Sequence, residues 1–347
     1  ENRMKRLITI FFLALFPMTF YAKDKVCLNM IVKDESQVIT RCLESVKPLI
    51  DYWVIVDTGS TDGTQEIIQK YLKDIPGELH EKPWRNFGEN RTEAFQLAKE
   101  KGDYILFMDA DDVLEFEKKW FFFKDVKFKP LKKDLYNMWR GDDVFDYLKP
   151  QLVRANMPWR WVGVTHEYLD CEEPYTSEIL DYVRYRTLDG GASSYDPQKY
   201  VKNIHLLKKS VAENPSNVRD VFYLAESYRC ASRYAKALEW FQKRINMGGW
   251  DEEVFWSKLQ IGQMLEFMKC SPKLIIESYL EAHRYRPHRV EPVYYLADIY
   301  NREGRYEAAY NCIKAFQTIP RPEAKDWLSN LRWIETYGVL FQLSICS

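Results

Sequence analysis

The sequence is short of several features that mark common protein classes. It has no C-x-x-C pair: Cys27, Cys42, Cys171, Cys230, Cys270, Cys312 and Cys346 are scattered and odd in number, so neither a zinc knuckle nor a disulfide framework is indicated. It has almost no net charge, with 50 basic residues against 51 acidic for a balance of −1. No overall field therefore draws it to nucleic acid or to an anionic membrane, and a polyanion would need a local patch. Neither G-x-G-x-x-G nor a Walker loop occurs, which removes the usual glycine-rich cradles for dinucleotides and nucleoside triphosphates. The mostly apolar run Leu7 to Ala22 is short of the roughly 20 residues that a membrane-spanning helix needs. Preceded by Arg3, Lys5 and Arg6, it reads instead as a signal-like segment over residues 1–23, although Phe20 stands where a small residue is wanted before cleavage. Export, or a membrane tether through residues 7–22, is the favoured expectation; the unpaired cysteines point the other way, to the cytoplasm.

What is present asks for two cores. At 347 residues, 46% hydrophobic and 29% charged, the chain exceeds the usual ~100–200 residues of one domain. Its aromatic share of 15% suits both helix-repeat packing and carbohydrate-facing surfaces, and composition does not separate the two.

Between Val26 and Asp112 short apolar runs alternate with helical stretches. Strands are expected at Val26–Val32, Trp53–Val56, near Leu79 and at Tyr104–Met108, with helices at Gln37–Val46, Thr64–Leu72 and Arg91 to about Lys101. This βα alternation implies a mostly parallel, Rossmann-like sheet with right-handed crossovers, and a ligand crevice outside the carboxyl ends of its strands. Each strand there ends in polar residues: Lys33-Asp34-Glu35, Asp57-Thr58-Gly59-Ser60 and Asp109-Ala110-Asp111. From about Leu114 to Asp189 the pattern loosens, and an antiparallel extension is expected. From Asp196 the chain reads as helical and repeats. Phe222-Tyr223-Leu224-Ala225, Ile261-Gly262 and Tyr295-Leu296-Ala297 recur at spacings of 37 and 35, close to the ~34-residue period of tetratricopeptide helix pairs. Small residues at Ala225, Gly262 and Ala297 would let paired helices approach. The expected division is an α/β domain over 24–195 and an all-α, tetratricopeptide-like domain over 196–347.

Phe107-Met108-Asp109-Ala110-Asp111-Asp112 places three carboxylates at the end of an apolar strand. Clustered carboxylates repel unless a cation or donor compensates them. Oxygen-only ligands there suit Mg²⁺ or Mn²⁺ completed by substrate phosphates. A solvated acidic turn capping the next helix is the alternative.

Taken together, Met30-Ile31-Val32-Lys33-Asp34-Glu35, Val54-Ile55-Val56-Asp57-Thr58-Gly59-Ser60-Thr61-Asp62-Gly63-Thr64, Asn90-Arg91 and the acidic run resemble the family-2 inverting glycosyltransferases over about residues 25–113. Trp159-Arg160-Trp161-Val162-Gly163-Val164-Thr165-His166-Glu167, Asp189-Gly190-Gly191 and the helical repeats are similar to the branch that fuses this domain to tetratricopeptide helices, which includes peptide-glycosylating enzymes of the sublancin type. The resemblance implies the GT-A fold, a nucleotide-sugar donor, here a UDP-sugar, and Mn²⁺ or Mg²⁺ at the diphosphate. It implies nucleobase or ribose contacts from Asp57 and Glu35, ribose contact from Asp109 and metal ligation by Asp111. Arg91, at the start of a helix, would touch the donor or brace the acidic motif, with an ordinary salt bridge as the plain alternative. His166 would complete the metal shell or be structural. Glu167 is the first choice of catalytic base, and Asp112, Asp142 and Asp143 are its rivals.

Asp62 reads as turn chemistry. Trp159 and Trp161 would stack on a sugar or simply pack. The segment 189–194, with Lys199 and Lys202, would close over the donor or link the domains. The acceptor would be a peptide, protein or glycan held partly by the repeats. A sugar nucleotidyltransferase would want a glycine-rich basic loop where Lys33-Asp34-Glu35-Ser36 stands, and an adaptor with a degenerate transferase domain would not need the intact acidic motifs.

Overall fold

The computed structural model describes residues 24–116, 128, 130–141, 146–320, 328, 331 and 333–346. The signal-like segment 1–23 and the rival bases Asp142 and Asp143 lie outside them. Among the described residues, no helix is long and apolar enough to cross a membrane.

The first half is built on strands β1 (Val26–Val32), β2 (Tyr52–Asp57), β3 (Gly77–Glu81) and β4 (Tyr104–Phe107), all parallel, in the order β3-β2-β1-β4. Helices α1 (Ile39–Val46), α2 (Thr64–Tyr71) and α3 (Phe87–Ala98) make the crossovers. Continuous apolar runs become parallel strands because both sheet faces are covered. Leu28 and Met30 of β1 join the core that includes Ile39, Leu43 and Ile68, while Cys27 joins Phe95, Trp159 and Trp161 on the other face. Buried Asn29 is the polar exception, and its amide donates to the carbonyls of Val54 (3.1 Å) and Ala94 (3.0 Å), tying β1 to β2 and α3. Chain direction across the sheet reverses between β1 and β4, the switch point at which open α/β sheets bind ligands.

The expected extension follows as β5 (Asp112–Phe116), β6 (Leu135–Gly141), β7 (Asp146–Arg154) and β10 (Ser177–Thr187), with β8 (Trp159–Val162) and β9 (Tyr168–Cys171) forming a separate hairpin. Strand β7 runs antiparallel to β4 and β6, and β5 antiparallel to β10, but β6 and β10 pair in parallel. Helix α3 begins earlier than the start at Arg91 that the sequence pattern predicts. Asn86 caps it, accepting from the Glu89 N–H at 2.9 Å, so the helix begins at Phe87 and Arg91 lies in its second turn. Gly88 is tolerated inside the helix because a Cβ there would collide with the Gly163 carbonyl oxygen.

The second half is helical: α4 (Ala192–Tyr195), α5 (Lys199–Glu213), α6 (Val218–Cys230), α7 (Tyr234–Met247), α8 (Asp251–Phe267), α9 (Pro272–Tyr285), α10 (Glu291–Arg302) and α11 (Tyr306–Gln317), then a π-helical turn Ile334–Gly338 running into α12 (Val339–Cys346). The three sequence repeats fall on the pairs α6/α7, α8/α9 and α10/α11, with Ala225, Leu224, Leu296 and Ala297 buried where helices meet. Gly262 lies against the ring of Tyr279, itself fully buried, and an added Cβ would collide with it. Gly262→Ala should therefore destabilise the chain by about 1–3 kcal/mol, the range for overpacking a filled core. Denaturant unfolding that places this variant within about 0.5 kcal/mol of the parent would refute the close approach.

Candidate active site

The carboxyl ends of β1 and β2 are laced together by short polar side chains. Asp34, at φ +53°, accepts from the Thr61 N–H (2.8 Å), and its own N–H donates to Ser60 Oγ (2.9 Å). The Glu35 N–H donates to Thr64 Oγ1 (2.8 Å) and the Ser36 N–H to Asp62 Oδ2 (2.9 Å). Burial alone would raise the pKa of Asp62, but hydrogen bonds from Thr64 and Ser36 outweigh it and hold it at about 2. Asp62 is turn chemistry, as its sequence context indicates. Asp57 plays two parts. It is fully buried; its Oδ1 accepts from the N–H groups of Gly59 and Ser60, both at 2.8 Å, while its Oδ2 is buried with no hydrogen-bond partner among the described residues. A buried carboxylate oxygen left unpaired is costly, and this one lies at the carboxyl end of β2.

At the end of β4 the acidic run divides. Asp109 forms an ion pair with Arg91, accepts from Lys149 Nζ at 3.4 Å and lies 3.3 Å from the Tyr185 hydroxyl. Burial works to raise its pKa, yet Arg91 and Lys149 hold it well below the usual carboxylate range. Asp112 opens β5 opposite Thr187 and is fully buried, taking a hydrogen bond from Tyr185 with Arg140 at 3.6 Å. Burial, with the charge of Asp109, pushes it up to about 6. Asp112, a rival to Glu167 as base, is thus fully buried among Tyr185 and Arg140. Asp111 differs from both neighbours: among the described residues no side chain donates to it. The backbone of Gly191 packs on it so closely that a Cβ would stand 2.6 Å from Oδ2. Burial and the charge of Asp109 raise its pKa.

Arg91 resolves the choice posed by its position. Its side chain is 10% exposed, Nε donates to Glu167 Oε1 at 2.7 Å, the other end pairs with Asp109, and the guanidinium lies 5.4 Å from the centre of the Trp161 ring. It braces the acidic motif. Trp159 and Trp161 pack in the core, Trp161 edge-on to Phe107 at 5.1 Å, so neither presents a sugar-stacking face.

His166 does not join Asp111. Its ring stacks on Tyr223 of α6 with centroids 4.1 Å apart and planes 4° from parallel. Desolvation of the ring against Tyr223, then the cations Arg219 and Lys199, lowers its pKa. A histidine facing two cations is poorly placed to hold a third. Among the described residues no group of three or more His, Cys, Asp and Glu side chains is arranged to hold a metal ion. What fits a divalent cation is narrower than the sequence suggested: one open carboxylate, Asp111, with Glu35 beside it, which is enough for an ion whose remaining ligands come from phosphates and water.

The segment 188–192 is not a free linker. Arg41 of α1 donates through Nη2 to the carbonyls of Leu188 (3.0 Å), Asp189 (2.6 Å) and Asp111 (3.5 Å), latching the segment to the acidic turn. The Ala192 N–H donates to Glu35 Oε2 at 3.1 Å. Burial pushes Glu35 up to about 7, opposed by this hydrogen bond and reinforced by the charges of Asp111 and Asp109. Lys202, one of the two lysines flagged with this segment, pairs with Asp196 at 2.6 Å, and Lys199 bears on His166. Arg41, Arg140, Lys149 and Tyr185 went unrecognised in the sequence. The last three sit on β6, β7 and β10, where local pattern is weak and pairing joins distant segments; the only hint was the cluster of tryptophans and charges around Trp139.

Residues 27–120 match the family model described as Glycosyl transferase family 2. The SPbeta prophage-derived glycosyltransferase SunS of Bacillus subtilis is 25% identical over 236 residues, 63% of this chain and 52% of that protein. A TPR repeat-containing protein of Synechococcus elongatus is 38% identical over 96 residues, 28% of this chain and 23% of that protein. The lipopolysaccharide core biosynthesis glycosyltransferase LpsC of Rhizobium meliloti is 32% identical over 91 residues, 26% of this chain and 31% of that protein. The chain thus spans about half the length of SunS and less of the other two. The similarity to glycosyl transferase family 2 thus lies in residues 27–120, in a chain whose second half is built of stacked helix pairs.

Proposed function

We propose that this chain is a metal-dependent, inverting glycosyltransferase that moves a sugar from a UDP-sugar to a peptide, protein or glycan acceptor held partly by its helical repeats. The observation that supports this reading is the division of the acidic edge at the β1/β4 switch point: Asp109 is bonded to Arg91 and Lys149, and Asp112 takes Tyr185 on one oxygen with Arg140 3.6 Å from the other, while no side chain among the described residues donates to Asp111 and the Oδ2 atom of Asp57 is buried without a partner.

Asp57 Oδ2 would accept from the imide N–H of the nucleobase, and Glu35, on the adjoining loop, would meet base or ribose. Asp109, expected to face the ribose, is better suited here to fixing Arg91 and Lys149. Asp111 would hold Mn²⁺ or Mg²⁺, an ion that, when bound, stabilises the departing nucleoside diphosphate. Glu167 would serve as base: Arg91 fixes its Oε1, and no side chain among the described residues bonds its Oε2. As the acceptor oxygen, nitrogen or sulfur attacks the anomeric carbon, its proton passes to Glu167 and the bond from that carbon to the diphosphate oxygen breaks with inversion. The segment 188–192 packs on Glu35 and Asp111. A concave repeat surface suits an extended polypeptide, which favours a peptide or protein acceptor.

Purified protein with Mn²⁺ should release UDP from at least one common UDP-sugar. A chain that releases none and binds none by calorimetry would end the transferase reading. Asp111→Asn should lower UDP release by about 100-fold or more, a few kcal/mol of lost leaving-group stabilisation; undiminished release would remove the metal role alone. Asp57→Ala should weaken UDP binding by about 10-fold with the protein still folded, and unchanged calorimetric affinity would take Asp57 out of base recognition.

A further inference from the structure

The loop Gly163–Glu167, between β8 and β9, is clamped from two sides. On the sheet side the first turn of α3 supplies its unpaired N–H groups: Phe87 donates to the Val164 carbonyl (3.2 Å) and Gly88 to that of Gly163 (3.1 Å). On the helical side Arg219 of α6 donates through Nε and Nη2 to the His166 carbonyl at 3.3 and 2.9 Å. Its guanidinium lies over the rings of Tyr168 (5.0 Å) and Tyr223 (4.9 Å), Tyr223 stacks on His166, and Val164 packs against the core formed by α5, α6 and α7.

His166 itself sits at φ +52°. A residue with a Cβ keeps that left-handed conformation only when its surroundings impose it, and here the imposing groups come from α6. The next residue is Glu167, whose carboxylate meets Arg91. The direction in which Glu167 leaves the backbone is therefore set by a strained residue that the helical domain holds in place.

Resting on the transferase reading above, we infer that Arg219 and Tyr223 are positioning residues for Glu167, which makes the first repeat helix part of the transfer site and not only a surface for the acceptor. Neither residue touches the donor; both act through the His166 backbone. A displacement of about 1 Å at a reacting group costs up to about 100-fold in rate.

The test uses the full chain with Mn²⁺ and whichever UDP-sugar it hydrolyses. Tyr223→Leu and Arg219→Gln should each lower the kcat of UDP release about 10- to 100-fold while the calorimetric Kd for UDP stays at the parent value, and Tyr223→Phe, which keeps the stacked ring, should retain the parent kcat. Parent-level kcat in both of the first two variants overturns the inference, as does a loss of kcat matched by an equal loss of UDP affinity. If Tyr223→Leu does not fold, Arg219→Gln decides alone: a lowered kcat with intact UDP binding supports the positioning role, and an unchanged kcat refutes it. An unsubstituted chain that neither binds nor hydrolyses any UDP-sugar would bring down the transferase reading itself, an outcome distinct from active parent and active variants.

Discussion

The buried guanidinium of Arg91 organises the site. Three carboxylates within four residues at the end of a buried strand would repel one another, and each would pay for desolvation. Arg91 removes the difficulty by bonding Asp109 at one end and Glu167 at the other, with Trp161 beneath it. Lys149 shares Asp109, and Tyr185 with Arg140 takes Asp112. The protein's own donors thereby take Asp109 and one oxygen of Asp112, while no side chain among the described residues donates to Asp111. Removing one partner from a buried pair of this kind typically costs ~3–5 kcal/mol because a charge is stranded, so the arrangement is rigid as well as selective.

The same bridge links parts of the chain far apart in sequence. Arg91 comes from α3, Asp109 from the end of β4 and Glu167 from the loop after β8. That loop is gripped by the N-terminus of α3 and by Arg219 and Tyr223 of α6. On the opposite rim Arg41 ties residues 188 and 189 to the backbone of Asp111. The α/β domain and the helical domain are therefore not beads on a string. The last strand of the sheet leads into a segment that packs on Asp111 and Glu35 before the first long helix begins.

Much of this was legible in the linear sequence, and for a physical reason. Parallel strands covered on both faces are continuous apolar runs, so Val26–Val32 and Tyr104–Phe107 stand out, and the acidic residues that follow them mark the crevice edge. Helix pairs that stack on their neighbours repeat their small residues at Ala225, Gly262 and Ala297. The start of α3 was misread because Asn86 and Gly88 look like loop residues; the first is a cap, and the second is required by the carbonyl of Gly163. The parallel pairing of β6 with β10 joins segments about forty residues apart, and no local periodicity encodes it. Lys149, Arg140 and Tyr185 were unreadable for the same reason.

The sequence by itself determined the elements, their order, the edge on which acidic residues gather and the period of the helical repeats, because burial and secondary-structure periodicity act over a few residues at a time. Only the tertiary structure decided which partner each acid meets. Whether a carboxylate is a ligand, a brace or a buried support depends on which cation or hydroxyl arrives beside it, and Arg91, Lys149, Tyr185 and Arg140 come from four separate elements. The same holds for His166, which the sequence leaves between metal shell and structural residue and whose ring stacks on Tyr223.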